Sequence, residues 1–89
     1  MSYRGRIRSI KREIFIRDNY ICRYCSFPAE VMDHVIAKHH CGPTAEWNLV
    51  ACCTRCNQIA SSWYFETFEE KREFILKKRR KEILNGMSS

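Results

Sequence analysis

The stretch YICRYCSFPAEVMDHVIAKHHCGPTAEWNLVACCTRCN, residues 20–57, decides the fold. Two Cys-x-x-Cys pairs, Cys22/Cys25 and Cys53/Cys56, close its ends, and Asp33-His34 lies between them. Structural zinc takes four soft ligands in a tetrahedron, often from two such pairs, because a two-residue gap lets both thiolates of a pair reach one ion. Residues 26–52 make a longer connection than a plain zinc ribbon uses. The excess fits a hairpin whose two ends the ion ties together. Cys22, Cys25, Cys53 and Cys56 are therefore expected to hold one structural Zn2+ per chain.

Histidine ligands fit less well. His34 and His39 have the spacing of a zinc finger pair, but the gap from Cys25 to His34 is shorter than the roughly twelve residues a finger uses. A zinc deaminase would carry Glu two residues after its histidine; this chain has Ile36 there. Cys52 adjoins Cys53, yet only Cys53 stands two residues from Cys56, so Cys41 and Cys52 read as plain thiols.

Outward from the knuckles, residues 30–36 read as a short strand and Leu49-Val50-Ala51 as a second, antiparallel to it. Gly42-Pro43 breaks the loop between them. Asn57 is expected to open a helix through about Ser62. Upstream, residues 6–18 read as a basic amphipathic helix with Ile7, Ile10 and Ile14 on one face and Arg6, Arg8, Lys11, Arg12 and Arg17 on others; Asp18-Asn19 is a turn. Downstream, Thr67 with Glu70 three residues on forms a capping box. It starts a helix over about 67–84 that should turn Phe68, Ile75 and Ile83 inward and stop at Asn85-Gly86, with a disordered tail beyond. Its cations, Lys71, Arg72 and the run Lys77 to Lys81, read as a solvated face suited to the helix dipole. Trp47, Trp63, Tyr64, Phe65 and Phe68 are expected in the core.

These elements describe an α+β chain: one domain over 1–89, with a motif core at 20–62 flanked by N- and C-terminal helices. A chain this small buries a modest core, so a stabilising metal is in keeping with its size. Sixteen Lys+Arg against ten Asp+Glu give a formal charge of +6 and a pI near 9.2, a balance that favours a polyanion such as nucleic acid. No apolar run approaches the roughly 18–20 residues that span a bilayer, and the basic N-terminus has no apolar signal core behind it. The expected setting is the cytoplasm, of a bacterium or phage-infected host, where thiols stay reduced and serve as metal ligands rather than disulfides.

The polar residues between the knuckles carry the chemistry. Two strands and a helix can bring Asp33, His34, Asn48 and Asn57 to one cleft. Phosphodiester hydrolysis needs a base for water and a cation for the charge that builds on phosphate. A neutral imidazole supplies the base near pH 7. A carboxylate and an amide oxygen are hard donors of the kind that hold Mg2+.

Taken in order, Cys22-x-x-Cys25, Asp33-His34-Val35-Ile36, Gly42-Pro43-Thr44, Asn48-Leu49-Val50 and Cys53-x-x-Cys56-Asn57 resemble the HNH endonuclease family, and Arg17-Asp18-Asn19-Tyr20 resembles its lead-in. The resemblance covers about residues 12–60 and implies a zinc-stapled ββα-metal fold of a His-Asn-Asn variant. It implies His34 as general base, Asp33 and Asn57 as ligands of a catalytic Mg2+ or Mn2+, and Asn48 as the residue that shapes the base-bearing loop. The implied reaction cuts DNA with one catalytic ion and leaves a 5′-phosphate. Three positions depart from the family: Ala37 where Pro is common, Cys41 in the place of a glycine, and Ala60 where a lysine is common. Arg55 or Lys38 could supply the cation that Ala60 lacks, and Arg12 and Arg17 join them as candidate DNA contacts. The competing reading is a catalytically weak, zinc-stapled DNA-binding or adaptor module in a larger nuclease or phage packaging complex. The expected partners are DNA and a phage or mobile-element nuclease protein, with no membrane, for a monomer or homodimer.

Overall fold

The structure, a computed structural model, describes residues 3–61 and 63–87, with side chains from 10 to 84. The expected facing of Arg6, Ile7 and Arg8, the expected helix end at Ser62 and the tail at Ser88-Ser89 lie outside the described residues and side chains. Helix α1 runs Tyr3–Arg17, strand β1 Val31–His34, strand β2 Leu49–Cys52, helix α2 Thr54–Ala60 and helix α3 Phe68–Met87. This is the small α+β architecture expected, a two-stranded antiparallel sheet with helices on either side in sequence. Val31 pairs with Cys52, Met32 with Ala51, Asp33 with Val50 and His34 with Leu49.

A two-stranded hairpin is marginal alone, and here all four residues of β2 are buried. Ile14 and Phe15 of α1 are buried, and Ile75 of α3 joins Val35, Val50, Tyr24, Phe65 and Ala60 in the core cluster. The lead-in turn is tied down by Asp18. Its buried carboxylate accepts from Arg17 at 2.9 Å, from Arg23 at 3.0 Å and from the Ala51 amide at 2.9 Å. Burial alone would push that carboxyl up, but the hydrogen bonds from Arg17, Ala51 and Arg23 hold it below the usual range.

Several elements differ from the sequence expectation. Helix α2 starts at Thr54, so Asn57 lies within it rather than opening it. The reason is a thiol cap: the Cys53 side chain accepts the Cys56 amide, a role ordinarily taken by Ser, Thr, Asp or Asn. Thr67 does cap α3, its Oγ1 accepting the Glu70 amide at 3.1 Å, while the Glu70 carboxylate accepts from Glu66 N–H at 3.3 Å. That helix runs through Asn85-Gly86 to Met87, since one helical glycine costs only about 1 kcal/mol. Of the aromatics expected inside, Phe65 is buried, but Trp47 is 69% exposed, Trp63 65% and Tyr64 54%. Ile83 is likewise exposed. The loop between the strands closes on Gly42, where an added Cβ would fall 1.7 Å from the Ile36 carbonyl oxygen; only glycine permits that approach.

Candidate active site and metal centre

The two knuckles converge. The thiols of Cys22, Cys25, Cys53 and Cys56 all lie within 4.8 Å of one another, and Cys25 Sγ stands 3.5 Å from Cys53 Sγ. A tetrahedral zinc with bonds of about 2.3 Å spaces its sulfurs about 3.8 Å apart, so the quartet fits that ion. The first knuckle is closed by Ser26, whose backbone adopts φ 70° and whose amide donates to the Cys22 carbonyl at 3.0 Å. Arg79 of α3 reaches the same cluster: its Nη1 donates to Cys25, Cys53 and Cys56 at 3.4, 3.3 and 3.5 Å. Cys52 stays outside the quartet and donates to the Cys53 carbonyl at 3.2 Å, while its thiol beside Cys22 lowers that neighbour to about 4. Cys41 is exposed.

Asp33 and His34 are adjacent on β1 and so point to opposite faces of the sheet. Asp33 points into the core. Its Oδ2 accepts the Tyr24 hydroxyl at 2.7 Å and pairs with the Lys71 ammonium at 2.8 Å. Lys71 Nζ also donates to the carbonyls of His34 at 2.7 Å and Val35 at 3.1 Å. Both charged side chains are buried, at 2% exposure for Lys71 and 8% for Asp33. Burial pushes the Tyr24 hydroxyl up, which keeps it a donor. Sequence reasoning missed Lys71, although Phe68, Lys71 and Ile75 follow i, i+3, i+7 spacing and so share one helix stripe. As arranged, Asp33 Oδ2 already holds an ammonium and a hydroxyl, so a divalent ion bound there would meet the Lys71 charge.

His34 is half-buried, with Nε2 3.0 Å from Thr44 Oγ1, where either atom can donate according to the tautomer. Burial first, and the nearby Lys38 charge second, hold its pKa below the usual value of 6.5. Asn48, fully buried, fastens the loop that follows His34. Its Oδ1 accepts the Ile36 amide at 2.8 Å, and its Nδ2 donates to the carbonyls of Ile36 at 3.0 Å and Pro43 at 2.9 Å. Asn57 is exposed on α2.

The candidate DNA contacts divide. Arg12 and Lys38 are exposed. Arg17 is committed to Asp18 and to the carbonyls of Glu46 and Leu49, and Arg55 is paired with Glu82 on α3. Among the described residues, no helix is long and apolar enough to cross a membrane.

Residues 22–62 match the model of the HNH endonuclease family. That stretch, from the first knuckle to just past α2, contains the thiol quartet and the Asp33-His34 step, and the four cysteines are consistent with a zinc-knuckle variant of that family. The family consists in general of nucleases. No curated protein matches the chain.

Proposed function

We propose that this chain is an endonuclease that hydrolyses DNA phosphodiester bonds with His34 as general base. One observation carries the reading: within the matched HNH stretch, His34 presents a half-buried imidazole biased to its neutral, proton-accepting form. In the proposed step the imidazole takes a proton from water, the water oxygen attacks phosphorus, and the bond to the 3′ oxygen breaks to leave a 5′-phosphate. Asn48 has the position to hold the loop behind the base, and Lys38, close enough to depress His34, to meet phosphate. The net charge of +6 supports a polyanionic substrate. Arg12 adds an exposed cation, while Arg17 and Arg55 would have to leave their present partners to touch DNA.

A Mg2+ or Mn2+ ion on Asp33 and Asn57 belongs to the same proposal in its metal-dependent form, and that form requires Lys71 to give up the carboxylate. The Lys71–Asp33 pair favours the second reading: a catalytically weak, zinc-stapled DNA-binding or adaptor module acting in a larger nuclease or phage packaging complex.

Nicking of supercoiled plasmid separates the two. His34→Ala should cut about 10²–10⁴-fold more slowly while retaining its far-ultraviolet dichroism; equal cutting by the variant refutes the base. The pH dependence carries a sign. Because the pKa of His34 is depressed, activity should hold below pH 6.5 and fall only as the pH passes through the lowered value. A decline already complete above pH 6.5 contradicts a desolvated imidazole base.

A further inference from the structure

Lys71 is the least expected residue of the molecule. A lysine is seldom buried unless its charge is paired, and this one sends its ammonium from α3 to the end of β1. The ammonium has three protons, and three oxygens meet it: Asp33 Oδ2 at 2.8 Å, the His34 carbonyl at 2.7 Å and the Val35 carbonyl at 3.1 Å. The rings of Tyr24 and Phe65 flank it, each centroid 5.9 Å away. One carboxylate and two carbonyls are the hard oxygen donors that alkaline-earth ions use. The cage is thus chemically a cation site, and the cation is part of the chain.

We infer that Lys71 is the resident cation of the Asp33 site, and that a divalent ion reaches Asp33 only in exchange for the Lys71 ammonium. Charge dictates the exchange. Asp33 and Lys71 together are neutral, whereas a dication placed on the same carboxylate would stand within a few ångströms of the ammonium, where like charges repel strongly in a poorly solvated place. Geometry agrees at Oδ2, which already holds Lys71 and Tyr24, whereas Mg2+ needs oxygens at about 2.1 Å. Lys71 thereby sets how much divalent ion the site demands. The inference goes beyond the nuclease proposal and does not require it, because the cage exists whether or not DNA is cut.

The test is Mn2+ titration of the zinc-loaded full chain, followed by the paramagnetic resonance signal of free Mn2+, with no DNA present. Lys71→Met should gain one Mn2+ site at least about tenfold tighter than the wild type, because a repelling charge has gone. Adding Asp33→Asn to that variant should abolish the site. A wild type that binds Mn2+ through Asp33 as tightly as the variant overturns the inference, as does a folded variant that gains no site. Should Lys71→Met fail to fold, Lys71→Gln, whose amide can still donate to the carbonyls, takes its place with the same two outcomes. Amine-reactive labelling of the wild type, read by mass spectrometry, gives a second measure. Lys71 labelling should rise in step with any Mn2+ bound at Asp33, and bound Mn2+ with Lys71 still protected refutes exchange.

Discussion

The thiol quartet and the Asp33 cage lie at two places on one hairpin and meet positive charge in different ways. At the quartet, four soft donors converge and the nearest protein cation, Arg79, touches three sulfurs from the side at 3.3–3.5 Å. A planar guanidinium cannot occupy the centre of a tetrahedron, so this geometry suits an ion. At Asp33 the donors are oxygens, one charge suffices, and a lysine brings it with all three protons paired. Both cations come from α3, eight positions apart in sequence. The last helix therefore brings one positive charge to each site.

Zinc removal should break the comparison most severely. Structural zinc contributes on the order of 10–16 kcal/mol of apparent binding energy in small domains, more than a chain of this size can replace. A strong chelator, or Cys56→Ala, should abolish cooperative thermal unfolding monitored by dichroism. A chelated protein that keeps its transition would mean that the hairpin does not need the ion.

Lys71→Met comes next. It leaves the Asp33 carboxylate buried and unpaired, a change worth about 3–5 kcal/mol, visible in urea denaturation. The double variant Asp33→Asn, Lys71→Met removes both charges and should recover most of that loss. If the double variant is as unstable as the single one, the pair matters through packing rather than charge, and the contrast with the thiol site weakens.

Arg79→Ala should have the smallest effect on stability and a distinct kinetic one. Removing a hydrogen-bond donor beside metal ligands typically costs about 10–100-fold in metal affinity, so zinc transfer to a coloured chelator should accelerate while the unfolding midpoint falls by less than in Lys71→Met. Unchanged zinc release would show that Arg79 is anchored by Phe27, 5.0 Å beneath it, and not by the sulfurs.

What the sequence discloses follows from the range of each interaction. The knuckles are legible because ligand spacing is a local property that one ion enforces. The hairpin is legible from β-prone runs around a Gly-Pro break, and its antiparallel pairing follows from the ties at both ends. The start of α2 is misplaced because a cysteine caps it, and thiol caps carry no signature in the usual set of capping residues. Trp47 and Trp63 read as core because a small domain needs packing, yet the core cluster is built instead around residues such as Tyr24, Phe65 and Ile75. Lys71 is the instructive miss. Its spacing with Phe68 and Ile75 placed it on the buried stripe, but a lysine in a basic helix reads as solvated until its partner 38 residues upstream, Asp33, is known to face it.

The central claim is that a tetrathiolate ion, separate from the Asp33 cage, ties both ends of the hairpin. Zinc K-edge X-ray absorption on the purified full chain tests it most directly. One zinc surrounded by four sulfurs at about 2.3 Å is expected. A first shell containing nitrogen or oxygen, or a freshly purified chain without zinc, contradicts it.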